Sequence, residues 1–192
     1  FVEQGNYSRF FVLTDENTAK HCLPVIRKHI DQLDNFDIIE INAGEESKNI
    51  DFCVGVWKML IDFSADRQSL LINLGGGVIS DLGGFAASTY KRGIDFVHVP
   101  TTLLSQVDAS VGGKTGIDLD NIKNIIGTFT QPKAVFIEHS FLQTLPERQI
   151  LSGLAEMLKH GLICSSSYWN LLKNSTLSDP SAELVYKSVD IK

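Results

Sequence analysis

The sequence predicts an α/β fold, in which a Rossmann-like domain with a mostly parallel sheet precedes the beginning of an all-helical domain. Three observations support this prediction. Short apolar runs rich in β-branched residues alternate with helical spacing up to about residue 145. After that point, only helical patterns follow. Ten of the fifteen glycines fall between Gly75 and Gly127, which indicates tight turns or a close approach to a ligand.

Five segments have the composition of strands. One of them, Leu70–Leu74, is a continuous apolar run, which is typical of a strand buried on both faces of a parallel sheet. In chain order, the predicted strands are Phe10–Thr14, Phe36–Ile41, Leu70–Leu74, Ile94–Val99 and Ala134–Ile137.

Helical spacing predicts Thr18–Leu33 and then Ser47–Phe63, where Ile50, Val54, Trp57 and Ile61 share one face. Beyond Pro146, which suits a first helical position, the predicted helices are Glu147–Ile163, Tyr168–Lys173 and one beginning near Ala182. We therefore expect a cofactor-binding domain over 1–145 and the start of a helical domain over 146–192. The latter is too short to build its own core, so we expect the remainder of that domain to be missing from this chain.

The composition excludes several functional classes. The net charge of −6 argues against a nucleic-acid-binding surface. No apolar run approaches the roughly 20 residues that cross a bilayer, and no secretory leader is evident. The three cysteines, Cys22, Cys53 and Cys164, form no CxxC pair, so we expect free thiols in a reducing cytoplasm.

The glycine-rich segment Gly75-Gly76-Gly77 follows the third strand and opens a helix. Free amides at a helix start can bind a pyrophosphate, and glycine lets the phosphate approach closely. The dinucleotide fingerprint is incomplete because Ser80 stands at its last glycine position, so an ordinary strand–helix turn remains an alternative. Asp15, just after the first strand, could accept hydrogen bonds from a ribose or cap a helix.

Several motifs give the chain a resemblance to the 3-dehydroquinate synthase family of the sugar-phosphate cyclases. They are GGGVISDLGGFAAS (75–88), YKRG (90–93), VPTTLLSQVDASVGGKTGID (99–118), KNIIGTF (123–129), TLP (144–146) and SGLAEMLKHG (152–161), with a weaker GEESKN (44–49). The 99–118 block is the most specific. The chain departs from the family at Ser80 and at Ile122, where the family usually has glycine.

The resemblance implies an enzyme that converts a seven-carbon sugar-acid phosphate to 3-dehydroquinate with release of phosphate. It also implies bound NAD, a divalent metal (zinc or cobalt), a homodimer and a role in aromatic amino-acid biosynthesis. Family members are longer than this chain, and the resemblance puts two histidine metal ligands in the missing part. This chain alone is therefore expected to be inactive.

The resemblance assigns roles to individual residues. Glu156 matches the metal-ligating glutamate, and helical spacing offers His160 as a partner or as an ordinary buried histidine. Arg92 matches a residue that reaches phosphate from the neighbouring subunit, with a surface arginine as the alternative. The other expected substrate contacts are Asp108, Lys114, Asn124 and Lys159.

The cofactor-binding residues form a longer set that the resemblance implies. The adenosine side is assigned to Asp15, Glu45 and Lys48, and the pyrophosphate to Gly76, Gly77, Val78, Ile79, Ser80 and Asp81. The remainder is assigned to Thr101, Thr102, Lys114, Lys123, Phe141, Leu142, Gln143 and Thr144. The rival interpretations are another sugar-phosphate cyclase, a polyol dehydrogenase that uses a metal and NAD, and an NAD-binding module without catalysis.

Overall fold

The central element of the fold is a four-stranded parallel sheet with strand order β2-β1-β3-β4. A computed structural model describes residues 5–27, 36–120, 122–175 and 180–192. The strands are β1 (Phe10–Asp15), β2 (Phe36–Ile41), β3 (Leu70–Gly75) and β4 (Asp95–Pro100). The predicted α/β class with a mostly parallel sheet is confirmed, and four of the five predicted strands agree to within one residue at each end.

The fifth predicted strand, Ala134–Ile137, does not form a full strand. Val135 makes a single parallel bridge to His98 of β4. Two backbone hydrogen bonds accompany it, from His98 to Ala134 at 3.1 Å and from Phe136 to His98 at 2.8 Å. The segment therefore lies along the edge of the sheet without extending the ladder.

The predicted helix Thr18–Leu33 is interrupted. The structure has α1 (Glu16–His21) and α2 (Leu23–Arg27), and residues 28–33 of the prediction lie outside the described residues. Pro24 explains the break, because proline has no amide hydrogen to donate and its ring clashes with the carbonyl four residues earlier.

The helix α3 (Ile50–Asp62) begins after its cap Asn49, and a short 3₁₀ turn replaces the predicted start at Ser47. On the face shared by Ile50, Val54, Trp57 and Ile61, only part is covered: Trp57 packs against the core, whereas Ile61 is 62% exposed and Ile50 is 37% exposed. The core itself contains Cys53, Val56 and Leu60. The sequence offers two apolar stripes on this helix, and packing against the sheet selects one of them.

A β-hairpin that the sequence analysis did not predict follows the sheet. Its strands are β5 (Lys114–Leu119) and β6 (Ile122–Phe129), which pair in antiparallel fashion. It packs on α4 (Gly77–Thr89), where the hydroxyls of Ser88 and Thr128 lie 2.9 Å apart. Its alternating β-branched residues, such as Thr115 and Ile117 in β5 and Ile126 and Thr128 in β6, were the signal that could have revealed it.

The C-terminal part contains α5 (Glu147–Cys164), α6 (Ser166–Lys173) and α7 (Ala182–Ile191), which agree with the predicted helices. Their apolar faces share a core with Leu103 and Val107, which precede residue 145. This core thus takes residues from both sides of the expected domain boundary, which stays a prediction.

The cysteine thiols are all free, with Cys22 and Cys53 buried and Cys164 exposed. Burial raises the pKa of Cys22 to about 11 and that of Cys53 to about 12, so both stay protonated at neutral pH. Within the described ranges, no helix has the length and apolarity needed to span a bilayer.

Candidate functional site

The turn between β3 and α4 forms an open cradle of backbone amides. Gly76 is the N-cap of α4, and no side chain caps the first amides of this 13-residue helix. A Cβ on Gly76 would lie 3.0 Å from the Thr102 methyl carbon, so the cradle stays open because glycine stands there. Gly77 and Val78 are half-buried, whereas Ile79 and Ser80 are buried beneath the turn.

Ser80, at the position where the fingerprint requires glycine, fits the turn without distorting it. Its amide and its hydroxyl both donate to the carbonyl of Gly76, at 3.0 and 3.2 Å. The serine therefore points back into the turn and leaves the amides of residues 76–78 accessible.

The next strand end, after β4, supplies buried polar groups. Thr101 Oγ1 and Gln106 Oε1 are buried without a hydrogen-bond partner among the described residues. Unpaired buried oxygens cost free energy, so such atoms suit a ligand that would pair with them. Gln106 was not predicted, although a polar side chain within the 99–118 block was a signal for it.

Asp108 lies in an uncommon conformation, a π-helical turn over Ser105–Ala109. π-Helical turns are rare and occur frequently at functional sites. Gln106 Nε2 donates to the carbonyls of Pro100 and Glu138, at 3.3 and 3.2 Å, which ties this turn to the end of β4.

Lys48 connects three elements of the site. Its ammonium donates to Asp81 Oδ2 and to Asn124 Oδ1, both at 2.5 Å, and the residue is only 4% exposed. Burial raises the pKa of Asp81, and the neighbouring Lys48 only partly offsets this effect. Asn124 has a positive φ of 53°, so the hairpin turns sharply where its side chain meets Lys48.

A pocket of about 510 Å³ brings several predicted residues together. Its lining includes Asp81, Asp108, Lys114 and Asn124, together with Lys192. The ammonium of Lys192 forms an ion pair with Asp108 Oδ1, a contact that the sequence analysis did not predict. The glycines before Lys114 have φ values of 102° and 70°, which gives that turn a backbone that other residues rarely adopt.

The helix α5 brings Glu156 to the same region. A Cβ on Gly153 would lie 2.5 Å from the backbone nitrogen of Leu104, so only glycine lets α5 approach the π-helical turn. Ligand atoms of Asp108, Glu156 and His160 lie within 4.8 Å of one another. Carboxylate oxygen and imidazole nitrogen are donors that zinc and cobalt accept.

Glu156 is itself held by two neighbours on the helix. Its Oε1 contacts the ammonium of Lys159 and lies 3.3 Å from His160 Nε2. His160 is 3% exposed. Burial lowers the pKa of His160, with the negative charge of Glu156 acting in the opposite direction, so the neutral imidazole is favoured at neutral pH.

The adenosine-side residues have structural partners of their own. Asp15 is the N-cap of α1, and its Oδ1 accepts from the amides of Asn17 and Thr18 at 3.0 and 2.9 Å. The cap alternative for Asp15 is thus confirmed, and its ribose role stays a prediction. Glu45 Oε1 lies 2.9 Å from Lys123 Nζ, which links the loop after β2 to the hairpin.

The remaining predicted residues lie elsewhere. Arg92 is exposed on a tight turn after α4, with a positive φ of 72°, and it is not among the residues that line the pocket. In the 3₁₀ segment His139–Thr144, Phe141 and Leu142 are buried in the apolar cores, whereas Gln143 and Thr144 are exposed.

The sequence is similar to curated 3-dehydroquinate synthases. It is 46% identical to that of Parabacteroides distasonis over 165 residues, which is 86% of this chain and 46% of the relative. The chain thus spans about half the length of the curated relatives that it matches.

Two solved structures have the same fold. The 2-epi-5-epi-valiolone synthase of Streptomyces hygroscopicus, with NAD⁺ and Zn²⁺ bound, has a TM-score of 0.86 and 27% identity, covering 95% of this chain and 54% of that one. A 2-deoxy-scyllo-inosose synthase complexed with carbaglucose-6-phosphate, NAD⁺ and Co²⁺ has a TM-score of 0.85 and 24% identity, covering 97% and 52%.

The model of the 3-dehydroquinate synthase N-terminal family matches residues 38–152. The match contains the cradle, the π-helical turn and the hairpin, and it covers more than half of the chain. The chain therefore belongs to the 3-dehydroquinate synthase N-terminal family.

Proposed function

We propose that the full-length protein containing this chain is a 3-dehydroquinate synthase. It converts 3-deoxy-arabino-heptulosonate 7-phosphate to 3-dehydroquinate and phosphate, in the shikimate pathway of aromatic amino-acid biosynthesis. The observation that carries the proposal is the meeting of an open amide cradle with Asp108, Lys114, Asn124 and Glu156 at one edge of the sheet. Identity of 46% to a 3-dehydroquinate synthase, against 27% to a valiolone synthase, favours this cyclase over its relatives.

The cradle fits the pyrophosphate of NAD. The amides of Gly77 and Val78 lie at the positive end of the α4 dipole and would bind the phosphate oxygens. Thr101 Oγ1, which is buried without a partner among the described residues, can pair with a bound cofactor. NAD would supply the hydride acceptor for an alcohol oxidation that is later reversed, so the reaction gives no net NADH.

The carboxylate of Glu156 fits a divalent metal such as zinc or cobalt. It offers an oxygen ligand beside Asp108, and the metal would act as a Lewis acid on the substrate oxygen that is oxidised. Asp108, whose carboxylate oxygen lies within 4.8 Å of that of Glu156, would orient the same hydroxyl group through a hydrogen bond.

Cationic and amide groups around the pocket complement an anionic substrate. Lys114 and Asn124 line the pocket, and Lys159 lies next to Glu156. An ammonium group on the rim lowers the electrostatic cost of bringing a phosphate or carboxylate into the site. The ammonium of Lys48 links the hairpin that carries Lys114 and Asn124 to α4, because it contacts both Asn124 Oδ1 and Asp81 Oδ2.

Arg92 and the oligomeric state form a second part of the proposal. We propose a cytoplasmic homodimer in which Arg92 binds substrate phosphate in the partner subunit, since this arginine is exposed on a tight turn after α4. In hybrids of a full-length Arg92→Ala mutant with a Glu156→Gln mutant, one intact site should form and activity should partly return. Hybrids as inactive as their parents would contradict a shared site.

The reaction itself is tested with the full-length protein. We expect phosphate release from the heptulosonate phosphate without accumulation of NADH, and its loss in the Glu156→Gln variant. Steady NADH production from a polyol would identify a dehydrogenase instead, and turnover of a different sugar phosphate would identify another cyclase.

The isolated chain separates cofactor binding from catalysis. We expect residues 1–192 to bind NAD without turnover, because Glu156 is the one metal ligand that the family resemblance assigns within them, and a zinc site needs about four ligands. NAD binding can be measured by calorimetry, and turnover by phosphate release. Measurable turnover would contradict this expectation.

A further inference from the structure

The buried residue His160 contacts Glu156 and is used by nothing in the proposed reaction. It lies one turn after Glu156 on α5, and its Nε2 is 3.3 Å from Glu156 Oε1. On the other side of the ring, Nδ1 is 2.8 Å from Ser188 Oγ. Both nitrogens therefore have a polar partner inside the protein.

Ser188 brings a second helix into this arrangement. It is fully buried on α7. The hydroxyl of Tyr168 on α6 donates to the carbonyl of Leu184 at 2.9 Å, which fixes the register of α7 one turn before Ser188. Three helices thus hold the line of contacts from Ser188 through His160 to Glu156.

The contacts of His160 are compatible with two tautomers of the neutral ring, because the hydroxyl of Ser188 can donate or accept. A carboxylate accepts only, and a neutral imidazole donates from one nitrogen and accepts at the other. With Nδ1 accepting from the hydroxyl of Ser188, the Nε2–H group faces Glu156 Oε1 across 3.3 Å, and no lone pair is set against the carboxylate. In this arrangement, neither nitrogen has a lone pair free to bind a metal.

The same contacts indicate which carboxylate oxygen of Glu156 is left to bind the metal. The ammonium of Lys159 also contacts Oε1, so both neighbours act on this one oxygen. A carboxylate held by Oε1 can present Oε2 in a fixed orientation. Outer hydrogen bonds of this kind orient metal ligands and affect metal affinity.

We infer that His160 is a positioning residue, which is oriented by Ser188 and holds the Glu156 carboxylate so that Oε2 binds the metal. The inference rests on the proposed function, in which Glu156 is a metal ligand. The competing arrangement is the one in which Nδ1–H donates to Ser188 and Nε2 is itself a metal ligand.

A matched pair of amides tests the inference in the full-length protein. The amide nitrogen of glutamine can reach the place of imidazole Nε2, whereas that of asparagine corresponds to Nδ1. His160→Asn should weaken Co²⁺ binding about 10- to 100-fold, the range for outer-shell partners of metal ligands. His160→Gln should keep affinity within about 3-fold of wild type, because it still donates to Glu156. Co²⁺ absorption spectra of the apo-protein report the binding, and NAD affinity should stay unchanged in both.

The outcomes separate the inference from the proposed function. If Glu156→Gln leaves Co²⁺ affinity unchanged, the metal site of the proposed function is wrong. If Glu156→Gln abolishes binding while His160→Asn retains full affinity, the positioning role is wrong. If His160→Asn and His160→Gln both abolish binding as completely as Glu156→Gln, His160 is a ligand and the inference is overturned.

Ser188→Ala provides a variant of smaller volume change, in case His160→Asn does not fold. The loss of the hydroxyl frees the ring, so we expect Co²⁺ affinity to fall about 10-fold, at the low end of the outer-shell range. Thermal unfolding checks that the variant is folded. Unchanged affinity in a folded Ser188→Ala protein would overturn the inference.

Discussion

The two sides of the site are built in different ways. The cradle at the start of α4 consists of backbone amides from adjacent residues, and it exists because Gly76 and Gly77 lack side chains. The opposite side consists of side chains from remote segments, with Asp108 on the π-helical turn and Glu156 and His160 on α5. One side can therefore form as soon as β3 and α4 pack, whereas the other depends on the packing of the helical core.

This difference predicts that mutations on the two sides have separable consequences. Changes in the cradle affect cofactor binding with little effect on the metal. Changes in the side-chain cluster affect metal binding and turnover with little effect on NAD. The following experiments test that separation.

The largest effect on turnover is expected for Asp108→Asn in the full-length protein. The amide keeps the size of the side chain but loses the charge that orients the substrate hydroxyl, and misorientation of reacting groups can cost about 100-fold in rate. We expect kcat/KM to fall by about 100-fold or more, which is about 2.7 kcal/mol, with unchanged NAD affinity. A parallel loss of NAD affinity would break the proposed separation of the two sides.

The next effect concerns His98, which lies in β4 beneath the site and has Asn73 Nδ2 3.3 Å from its Nδ1. Burial lowers the pKa of His98 to about 4, from an ordinary value of 6.5. The folded state thus favours the neutral ring, so this contribution to stability is complete above pH 6.5 and is lost as the pH falls toward 4. The loss is on the order of 3 kcal/mol.

Denaturant titrations between pH 7 and pH 4.5 measure this effect. His98→Asn keeps an acceptor for Asn73 but does not titrate in this range, so its free energy of unfolding should depend less on pH than that of the wild type. If the free energy of unfolding depends equally on pH in the two proteins, protonation of His98 does not contribute to the pH dependence of stability.

Gly153→Ala is expected to have an intermediate effect, on the helical side. The new Cβ would lie 2.5 Å from the backbone nitrogen of Leu104, which cannot move as a side chain can. We expect a loss of about 1–3 kcal/mol in the free energy of unfolding, with weaker metal binding. The exposed neighbour Ser152→Ala is the control and should change stability by less than about 0.5 kcal/mol. Equal stability of the two variants would contradict the close approach.

Gly77→Ala should reduce cofactor affinity without loss of stability. Its Cβ would make an ordinary contact of 3.4 Å with Ala109, and alanine is a better helix former than glycine. The methyl group narrows the cradle, so we expect NAD affinity to fall about 10-fold, or about 1.4 kcal/mol. Gly55→Ala on α3, with no atom within 4 Å of the new Cβ, is the control and should leave NAD affinity unchanged.

The smallest effect is expected at Asp15, where two substitutions separate its cap from a cofactor role. Asp15→Ala removes the cap of α1 and should cost about 1 kcal/mol of stability. Asp15→Asn keeps the cap, since asparagine caps a helix about as well. Weaker NAD binding in the folded Asp15→Asn variant would support a ribose contact. Unchanged NAD binding would show that Asp15 only caps α1.

The fold could be predicted from the sequence where neighbouring residues determine the structure. The apolar run of β3 and the glycines after it fix a strand and a turn locally, so the cradle was predicted from Gly75 to Val78. Pro24 was also a local signal, and overlooking it gave one helix where the structure has two. The π-helical turn at Asp108 had no local signal, because it depends on contacts with α5 and the segment near Glu138.

The side-chain partners were the least predictable part of the site. The sequence suggested that Glu156 and His160 share a helix face, but it did not indicate that Ser188 lies on the other side of the ring. Likewise, Lys48 was assigned to the cofactor, and its ion pair with Asp81 came from packing across 33 positions. Such contacts require the chain to fold back on itself, and no spacing rule describes them.

The sequence by itself determined the α/β class, the amide cradle and the residue types available for chemistry, because strand runs, glycine turns and helix faces follow from interactions between near neighbours. Tertiary structure alone decided which face of α3 is buried, that β5 and β6 pair on α4, and that Ser188 meets the ring of His160. These features depend on the fit between surfaces that are distant in sequence. For example, a Cβ at Gly153 would push α5, with Glu156 and His160, away from the π-helical turn that carries Asp108.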